Sequence, residues 1–317
     1  MRLFLKTVLI SLFFATILSW IGLAHERLDI LSHFRLHFSI LAISLALLFC
    51  INLSWRWATI ATLLASFNFL TSIGLPQTSM AFANQNPQSK LVLKIMSINT
   101  LYLAKNDAQI IEIIERIEPD IILMQEVPPW KTGILEHLRK QYPWQEHCAT
   151  PTQCEVALLS RHPWQYSESG IYGQDGGAMA FARFGRELNS LTIASIHLRW
   201  PFKSPQLSNL SDAFQQLEPL KNIDGSLIIG GDFNSTTWST VLRDFSKSTN
   251  LKSAGSFQAT WPVRSPQTGL SHTWLFPQFQ LDHIFVSDDI EVIDFRRGND
   301  TGSDHLPLIS EISLSQP

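Results

Sequence analysis

The stretch Ser226–Leu–Ile–Ile–Gly–Gly–Asp–Phe–Asn–Ser235 decides how this chain is organised. Its apolar residues 227–229 predict a buried strand, and the two glycines that follow allow a close approach of the backbone. Asp232 and Asn234 fall on the same side of the chain, because strand side chains alternate with period two. A carboxylate beside an amide at a strand end suits work on a phosphate, since the acid handles a proton or a metal and the amide donates to an oxyanion.

Polar residues follow other apolar segments in the same way. Residues 91–100, 121–127 and 191–197 predict strands that carry polar residues at or near their ends, namely Asn99, Glu126 and His197. Alone, each of these fits a plain structural interpretation, such as a surface acid or a structural histidine. Their joint occurrence indicates a site, because enzymes place their chemistry on the loops at strand ends.

Two acids near the C-terminus add to this set. Asp282 interrupts the apolar strand 280–286, and a buried acid is costly unless it is paired, so Asp282 is expected to have a partner. Asp304 and His305 lie in a loop just before the last predicted strand. His283 follows Asp282 directly and is expected to point the other way, into the sheet.

Six segments stand out in chain order: Ser97–Ile–Asn99, Gln125–Glu126, Ser195–Ile–His–Leu198, Gly231–Asp–Phe–Asn234, Leu281–Asp–His–Ile–Phe–Val286 and Gly302–Ser–Asp–His–Leu–Pro307. Together they resemble the endonuclease/exonuclease/phosphatase family, which includes deoxyribonucleases, abasic-site endonucleases, neutral sphingomyelinases and inositol-polyphosphate 5-phosphatases. The resemblance covers about residues 91–315. It implies an α/β (α+β) fold of four layers, a sandwich of two packed β-sheets with helices outside.

The resemblance also implies hydrolysis of a phosphoester assisted by Mg²⁺ or Mn²⁺. Glu126 matches the family's principal metal ligand, with Asn99 beside it, and Asp304 matches an acid near the metal site. Oxygen ligands agree with the preference of such hard cations.

The remaining matches imply catalytic roles. Asp232 matches the group that orients or deprotonates the attacking water, and Asn234 and His197 match phosphate-binding groups. His305 matches the catalytic histidine, held by Asp282, which agrees with the need of a histidine for a carboxylate that fixes its tautomer.

Substrate contacts outside these segments are less defined. Arg199 is a candidate substrate-binding residue, and the alternative is a solvated loop charge. Residues 1–90 contain six of the 24 Lys/Arg and two of the 27 Asp/Glu, so residues 91–317 carry a formal net charge of −7. Such a domain is expected to bind duplex nucleic acid poorly without specificity, because that binding depends on neutralisation of phosphates by Lys and Arg.

The N-terminal part of the chain is apolar. Segments at residues 6–24, 38–53 and 57–75 predict about three transmembrane helices in a membrane region of residues 1–75, since a spanning helix needs roughly 20 apolar residues. A cleaved signal peptide is the alternative for the first segment. Residues 76–90 predict a polar linker, and residues 91–317 the catalytic domain.

The charges flanking these segments predict an integral membrane protein, in the inner membrane of a cell, with the catalytic domain on the periplasmic or extracellular side. Cys148 and Cys154 are either two unrelated buried thiols or a loop-closing disulfide, which requires an oxidising compartment.

The predicted function is a divalent-metal-dependent phosphoesterase acting outside the cytoplasm. Its substrate stays open between nucleic acid, phospholipid headgroups and small organic phosphates, and the lipid bilayer is a predicted partner. No protein partner is evident. The alternative from another class is a catalytically inactive, membrane-anchored binding module, which predicts lost site residues, and none of the matched residues is missing.

Overall fold

A computed structural model describes residues 1–21, 28–72, 91–105, 107–148, 154–173, 177–202, 206–221, 225–264 and 279–314. The chain forms two compact units. The first comprises Met1–Gln77 together with Thr236–Asp244, and the second comprises Thr78–Ser235 and Phe245–Pro317. The predicted linker at residues 76–90 lies outside the described residues.

The first unit is helical. Its helices are α1 (Arg2–Leu18), α2 (Ile30–His33), α3 (Arg35–Ile51) and α4 (Trp55–Ser72). Leucines of α1 pack with Phe49 and with small residues of α3 and α4, such as Ala42 and Ala61, which are fully buried. The small side chains let the helix backbones approach closely.

The three long helices overlap the predicted transmembrane segments. They contain 17, 17 and 18 residues. At about 1.5 Å per residue, a helix of this length reaches about 26 Å, short of the roughly 30 Å apolar core of a bilayer. Within the described residues, no helix is both long and apolar enough to cross a membrane, so the three predicted spans are not supported.

The second unit carries two β-sheets. Its first half contains β1 (Leu91–Asn99), α5 (Asp107–Ile117), β2 (Ile121–Gln125), α6 (Gly133–Leu138), β3 (Trp144–His147), β4 (Val156–Ser160), β5 (Trp164–Tyr172) and β6 (Gly177–Phe184). The elements that follow are β7 (Thr192–His197), α7 (Gln206–Lys221), β8 (Leu227–Asp232), α8 (Thr240–Thr249), β9 (Lys252–Ser253), β10 (Asp282–Val286), β11 (Glu291–Arg297) and β12 (Leu308–Leu314). Short 3₁₀ helices lie at Pro129–Lys131 and Arg186–Leu188.

Among the described residues, each sheet has six strands. The first has the order β11-β12-β1-β2-β4-β3 and the second the order β5-β6-β7-β8-β10-β9. Both are mixed, since β1 and β2 run parallel, as do β7 and β8, while their other neighbours are antiparallel.

The core lies between the two sheets. Ile95 and Leu123 of the first sheet pack in one buried cluster with Ala180, Ile228 and residues near them in the second sheet. Helices α5 and α6 cover the other face of the first sheet through a second cluster that contains Ile113 and Ile134. The predicted sandwich of two packed sheets flanked by helices is therefore confirmed.

Four strands that the sequence pattern did not predict are β3, β5, β9 and β11. Each lies at an edge of its sheet. Their residues are mostly half-buried or exposed, whereas β2, β4 and β8 are buried along their whole length. An edge strand has little apolar surface to bury, so its sequence shows neither an apolar run nor a clear alternation.

Residues 236–244 group with the helical unit through buried polar contacts. The carboxylate of Asp29 accepts hydrogen bonds from the backbone N–H groups of Thr240 (3.0 Å) and Val241 (3.3 Å). This is the favoured arrangement of an acid at a helix N-terminus. Trp238 donates from its indole to the carbonyl of Ser32 (2.7 Å).

Cys148 and Cys154 form a disulfide, with their Cα atoms 5.4 Å apart. Both are buried next to the core between the sheets. The structure thus favours the loop-closing bond over two separate thiols, and the loop itself lies outside the described residues.

Close contacts explain why both Gly230 and Gly231 of the central stretch are glycines. Gly231 has φ of +144°, and a Cβ atom there would lie 1.9 Å from the carbonyl oxygen of Ile196 on β7. At Gly230 a Cβ atom would lie 2.6 Å from a side-chain carbon of Leu123, in the facing sheet. Strand β8 can approach its neighbours only because it lacks side chains at these two positions.

We expect Gly231→Ala to lower the free energy of unfolding by at least about 2 kcal/mol, because the backbone must shift to relieve the clash. Chemical denaturation of the purified protein measures this. Gly133→Ala is the matched control, since a Cβ atom at Gly133 has nothing within 4 Å. Equal stability of both variants and the wild type would contradict the assignment.

Candidate active site

The ends of several strands bring the predicted polar residues together. Asn99 ends β1 and Glu126 follows β2, which are neighbours in the first sheet. In the second sheet Asp232 ends β8 and lies opposite His197 of β7 on one side and Asp282 of β10 on the other. The site therefore lies where the two sheets present the ends of their central strands.

Asn99 links the two sheets at this point. Its side-chain nitrogen donates to Glu126 Oε1 (3.0 Å) and to Asp232 Oδ2 (3.1 Å). Its side-chain oxygen accepts a hydrogen bond from the backbone of Leu101 (2.9 Å), which fixes the orientation of the amide. In this arrangement Asn99 holds the two carboxylates, and a role as metal ligand stays a prediction.

Glu126 is held in an uncommon conformation. Its φ is +58°, in the left-handed region that a residue other than glycine adopts only at some cost. Its Oε2 accepts from the backbone N–H of Tyr102 (2.8 Å), and its carbonyl accepts from the hydroxyl of Thr100 (2.6 Å). The loop after β1 thus aims the carboxylate of Glu126 at Asn99 and Asp232.

Asp232 is the most connected group of the site. Its Oδ1 accepts from the backbone N–H of Asn234 (2.8 Å), and its Oδ2 lies 3.7 Å from His197 Nε2 and 3.8 Å from His305 Nε2. Burial raises the pKa of Asp232 to about 6, although the positive charge of His305 opposes the shift. A carboxylate with such a pKa is suited to accept a proton near neutral pH.

The buried pair Asp282–His305 supplies the partner expected for Asp282. Nδ1 of His305 donates to Asp282 Oδ2 at 2.8 Å. Burial lowers the pKa of His305, but the carboxylates of Asp282 and Asp232 outweigh it and hold that pKa well above the ordinary value. The imidazole is therefore positively charged at neutral pH, with Nε2 directed towards Asp232.

The other predicted residues surround this centre. Asp304 is buried, and burial together with the charge of Glu126 raises its pKa, while Trp261 donates to its Oδ2 (3.2 Å). Asn234 donates from its side-chain amide to the carbonyl of Leu198 (2.7 Å), so it fixes the turn behind Asp232. Arg199 is anchored through its carbonyl, which accepts from Gln206 (2.7 Å), and its contact with substrate stays a prediction.

The donor atoms fit a divalent cation. Glu126, His197 and Asp232 each offer a ligand atom, and these atoms lie within 4.8 Å of one another. Two carboxylates in this set suit Mg²⁺ or Mn²⁺, which prefer oxygen. Within the described residues, Oδ1 of Asp304 is buried without a hydrogen-bond partner, and Glu126 raises its pKa, so a cation would relieve the repulsion between these acids. Of the predicted metal set, Asp304 does not lie in the ligand group.

Several supporting residues were not predicted from the sequence. Gln125 donates to Ser195 Oγ (3.0 Å), and Ser195 donates to the carbonyl of Met124 (3.2 Å), so these side chains join the two sheets beneath the site. Both belong to the matched segments, but a hydrogen bond across 70 residues leaves no local pattern. Glu155 lies close enough to Glu126 that the negative charge of Glu126 adds to the effect of burial in raising its pKa.

Lys131 is a buried cation beside the metal side of the site. Its Nζ donates to the carbonyls of Thr100 (2.7 Å) and Leu101 (2.9 Å), the residues that precede the Tyr102 contact to Glu126. Burial lowers the pKa of Lys131, and the acids Asp107 and Glu126 oppose this. Lys131 thereby holds the loop that positions Glu126.

His283, as expected, is not part of the site. Its Nε2 lies 2.8 Å from the carbonyl of Ser235, to which it donates, and its ring packs edge-on against Phe233. Gln280 lies 3.4 Å from its other ring nitrogen. Burial lowers the pKa of His283 to about 4, so the imidazole is neutral in the folded protein.

This shift predicts a pH dependence of stability. The unfolded chain binds a proton at His283 below about pH 6.5, whereas the folded protein binds it only near pH 4. The contribution of neutral His283 to the free energy of unfolding is thus fully present above about pH 6.5. It is lost as the pH falls towards 4, by at most about 1.4 kcal/mol per pH unit. In chemical denaturation, we expect the wild type to lose about 1–2 kcal/mol more than His283→Gln between pH 6.5 and 5. Equal losses in the two proteins would show that His283 carries no such linkage.

Comparison with known proteins identifies the class. Residues 96–305 match the model of the endonuclease/exonuclease/phosphatase family. This covers well over half of the chain and includes every predicted site residue, so the chain belongs to that family. No curated protein matches the chain in sequence.

Solved structures share the fold at low sequence identity. An endonuclease/exonuclease/phosphatase family protein from Bacteroides thetaiotaomicron is 15% identical, covers 72% of this chain and 99% of its own, and has a TM-score of 0.56. The catalytic domain of human Nocturnin, solved with a bound sulfate anion, is 20% identical, with 72% and 97% covered and a TM-score of 0.55. Beta toxin from Staphylococcus aureus is 16% identical, with 69% and 99% covered and a TM-score of 0.55.

Proposed function

We propose that this chain is a divalent-metal-dependent phosphoesterase that hydrolyses a phosphodiester or phosphomonoester. The observation that carries the proposal is the convergence on Asp232, whose Oδ2 lies 3.1 Å from Asn99 Nδ2, 3.7 Å from His197 Nε2 and 3.8 Å from His305 Nε2. These groups come from four separate parts of the chain. A buried acid with a pKa of about 6 beside a charged histidine has a clear use in proton transfer and in binding an anion.

In the proposed reaction, the chain divides the work between an acid and histidines. Asp232 orients a water molecule and takes its proton as the water oxygen bonds to phosphorus. The imidazolium of His305, held by Asp282, and the imidazole of His197 donate hydrogen bonds to the phosphoryl oxygens, where negative charge develops. The bond to the leaving oxygen then breaks, that oxygen takes up a proton from solvent, and Asp232 releases to solvent the proton that it accepted.

Glu126 and Asp232 would hold the cation through their carboxylate oxygens. When bound, Mg²⁺ or Mn²⁺ supplies Lewis-acid polarisation of a phosphoryl oxygen and neutralises charge. Asn99 keeps the two carboxylates apart and oriented through its two hydrogen bonds. Asn234 fixes the turn behind Asp232, and its contact with phosphate stays a prediction.

We expect the purified full-length protein to hydrolyse bis-p-nitrophenyl phosphate with Mg²⁺ and to lose this activity with a chelator. Asp232→Ala and His305→Gln should each lower turnover at least about a hundredfold, because positioned proton transfer and charge stabilisation contribute that much. His283→Gln is the matched control, since that buried histidine bonds outside the site, and it should stay near wild type. Absence of metal-dependent turnover on this ester and on a panel of nucleic-acid, lipid and sugar-phosphate substrates would favour the binding module instead.

The location outside the cytoplasm stays a prediction. Its chemical support is the disulfide Cys148–Cys154, because such bonds persist in oxidising compartments. Association of residues 1–75 with a membrane is also a prediction, supported by exposed apolar side chains such as Leu3 (78% exposed) and Ile51 (76%).

A fusion of alkaline phosphatase after Ser89 tests this location. We expect an active fusion, since the reporter needs an oxidising compartment to form its own disulfides. A reporter that is active only in the cytoplasm, fused at the same residue, serves as the control. Activity of that reporter together with an inactive alkaline phosphatase would reverse the orientation.

A further inference from the structure

Among the described residues, five apolar or aromatic side chains are exposed on the loops that follow β1, β2 and β7. Tyr102 and Leu103 follow β1, Trp130 follows β2, and Trp200 and Phe202 follow β7. Trp130 is 69% exposed, and Leu103 and Phe202 are each 58% exposed. We call these five residues the apolar rim.

One half of the apolar rim is bonded directly to the metal side of the site. The backbone N–H of Tyr102 donates to Glu126 Oε2 (2.8 Å), and the indole of Trp130 donates to the carbonyl of Tyr102 (3.2 Å). The buried ammonium of Lys131 holds the preceding carbonyls of this loop. These exposed side chains are therefore presented by a fixed backbone that also aims a metal-site carboxylate.

The other half is connected to the catalytic histidine through aromatic rings. Trp261 donates to Asp304 Oδ2 (3.2 Å), and its ring centroid lies 6.4 Å from that of His305. Trp200 packs edge-on against Trp261 at 5.5 Å, and Phe202 lies 5.8 Å from Trp200. A continuous set of rings thus leads from His305 to the exposed Phe202.

The composition of the apolar rim selects the kind of surface that it contacts. The side chains of Leu103 and Phe202 have no polar atom, so their exposure to water is unfavourable. Trp and Tyr side chains prefer the boundary between water and lipid. A site for single-stranded nucleic acid combines stacking rings with a cationic groove. Here the net charge of residues 91–317 is −7, which disfavours a polyanion.

We propose that the apolar rim inserts into the surface of a lipid bilayer, and that the substrate is the phosphodiester of a phospholipid headgroup. This inference rests on the proposed phosphoesterase function and adds the substrate class to it. Insertion of side chains on both sides of the site brings Glu126 and His305 to the depth of the headgroups, where the phosphodiester lies. The same contact holds the enzyme at the surface between turnovers.

The test compares two substrates with one set of full-length proteins. The probes are vesicles of phosphatidylcholine, vesicles of equal parts phosphatidylcholine and phosphatidylglycerol, and soluble bis-p-nitrophenyl phosphate. The rim variant combines Leu103→Ser and Phe202→Ser, the two residues of the apolar rim whose side chains carry no polar atom. The matched control is Ile293→Ser, which removes a half-exposed apolar side chain from β11. Its neighbour Val292 pairs with Ile312, towards the end of β12 that is farther along the chain from His305.

We expect the rim variant to hydrolyse vesicle phospholipid at least about tenfold more slowly than the wild type, because less apolar area enters the bilayer. Its rate on the soluble ester should stay within about twofold, which also shows that the variant is folded and that its site is intact. Ile293→Ser should match the wild type on both substrates. Hydrolysis rather than vesicle binding is measured, since the apolar helices of the first unit could bind vesicles by themselves.

Failure of the proposed phosphoesterase function and failure of the lipid inference give different results. A wild type that hydrolyses neither the soluble ester nor vesicles overturns the proposed function. A wild type that hydrolyses only the soluble ester, or a rim variant that keeps the wild-type ratio of the two rates, overturns the lipid inference alone. Faster cleavage of a single-stranded oligonucleotide than of either vesicle, lost in the rim variant, would replace the lipid with stacked bases.

Discussion

The hydrogen bonds from Asn99 to Glu126 and Asp232 are the interaction on which the rest of the site depends. Glu126 belongs to the first sheet and Asp232 to the second, and one side-chain nitrogen donates to both. Two carboxylates this close repel each other, and a buried carboxylate is costly unless it has partners. The two sheets must therefore hold the ends of β1, β2 and β8 at fixed positions relative to one another. The fit of β8, which needs two glycines against Ile196 and Leu123, and the bond between Gln125 and Ser195 provide this.

Burial and neighbouring charges shift the pKa values of Asp232 and His305, so that one is a weak acid and the other a cation. Burial leaves Asp232 with a pKa of about 6, and the carboxylates of Asp282 and Asp232 keep His305 positively charged. A weak acid and a cation thus stand side by side in a buried site, and each supports the state of the other. The same fold places His283, one residue from Asp282, against a carbonyl in the sheet, where burial keeps it neutral. His283 alternates with Asp282 along β10 and so faces away from the site, whereas His305 reaches Asp282 from the loop before β12.

Much of this protein could be read from local patterns. The apolar runs of β2 and β8 predicted these strands, because each strand buries its own side chains. The residues of the site were found in the same way, since their segments are short and contiguous. The edge strands β3, β5, β9 and β11 could not be found, because a strand that buries little has no periodic signal. The transmembrane prediction relied on the length and apolar composition of three segments, and within the described residues no helix is both long and apolar enough to span a membrane.

The sequence by itself indicated which groups form the candidate site, because Asp232, Asn234, His197, Asp282 and His305 lie in short segments whose residue types and order carry the information. Only the tertiary structure decided how these groups are arranged. The amide of Asn99 faces two carboxylates because its oxygen is taken by Leu101, and Trp261 reaches Asp304 across more than 40 residues. The exposure of Leu103, Trp130 and Phe202 beside the site is likewise a property of the fold. Strand pairing brings distant segments together, and no local spacing in the sequence records which side chains then meet.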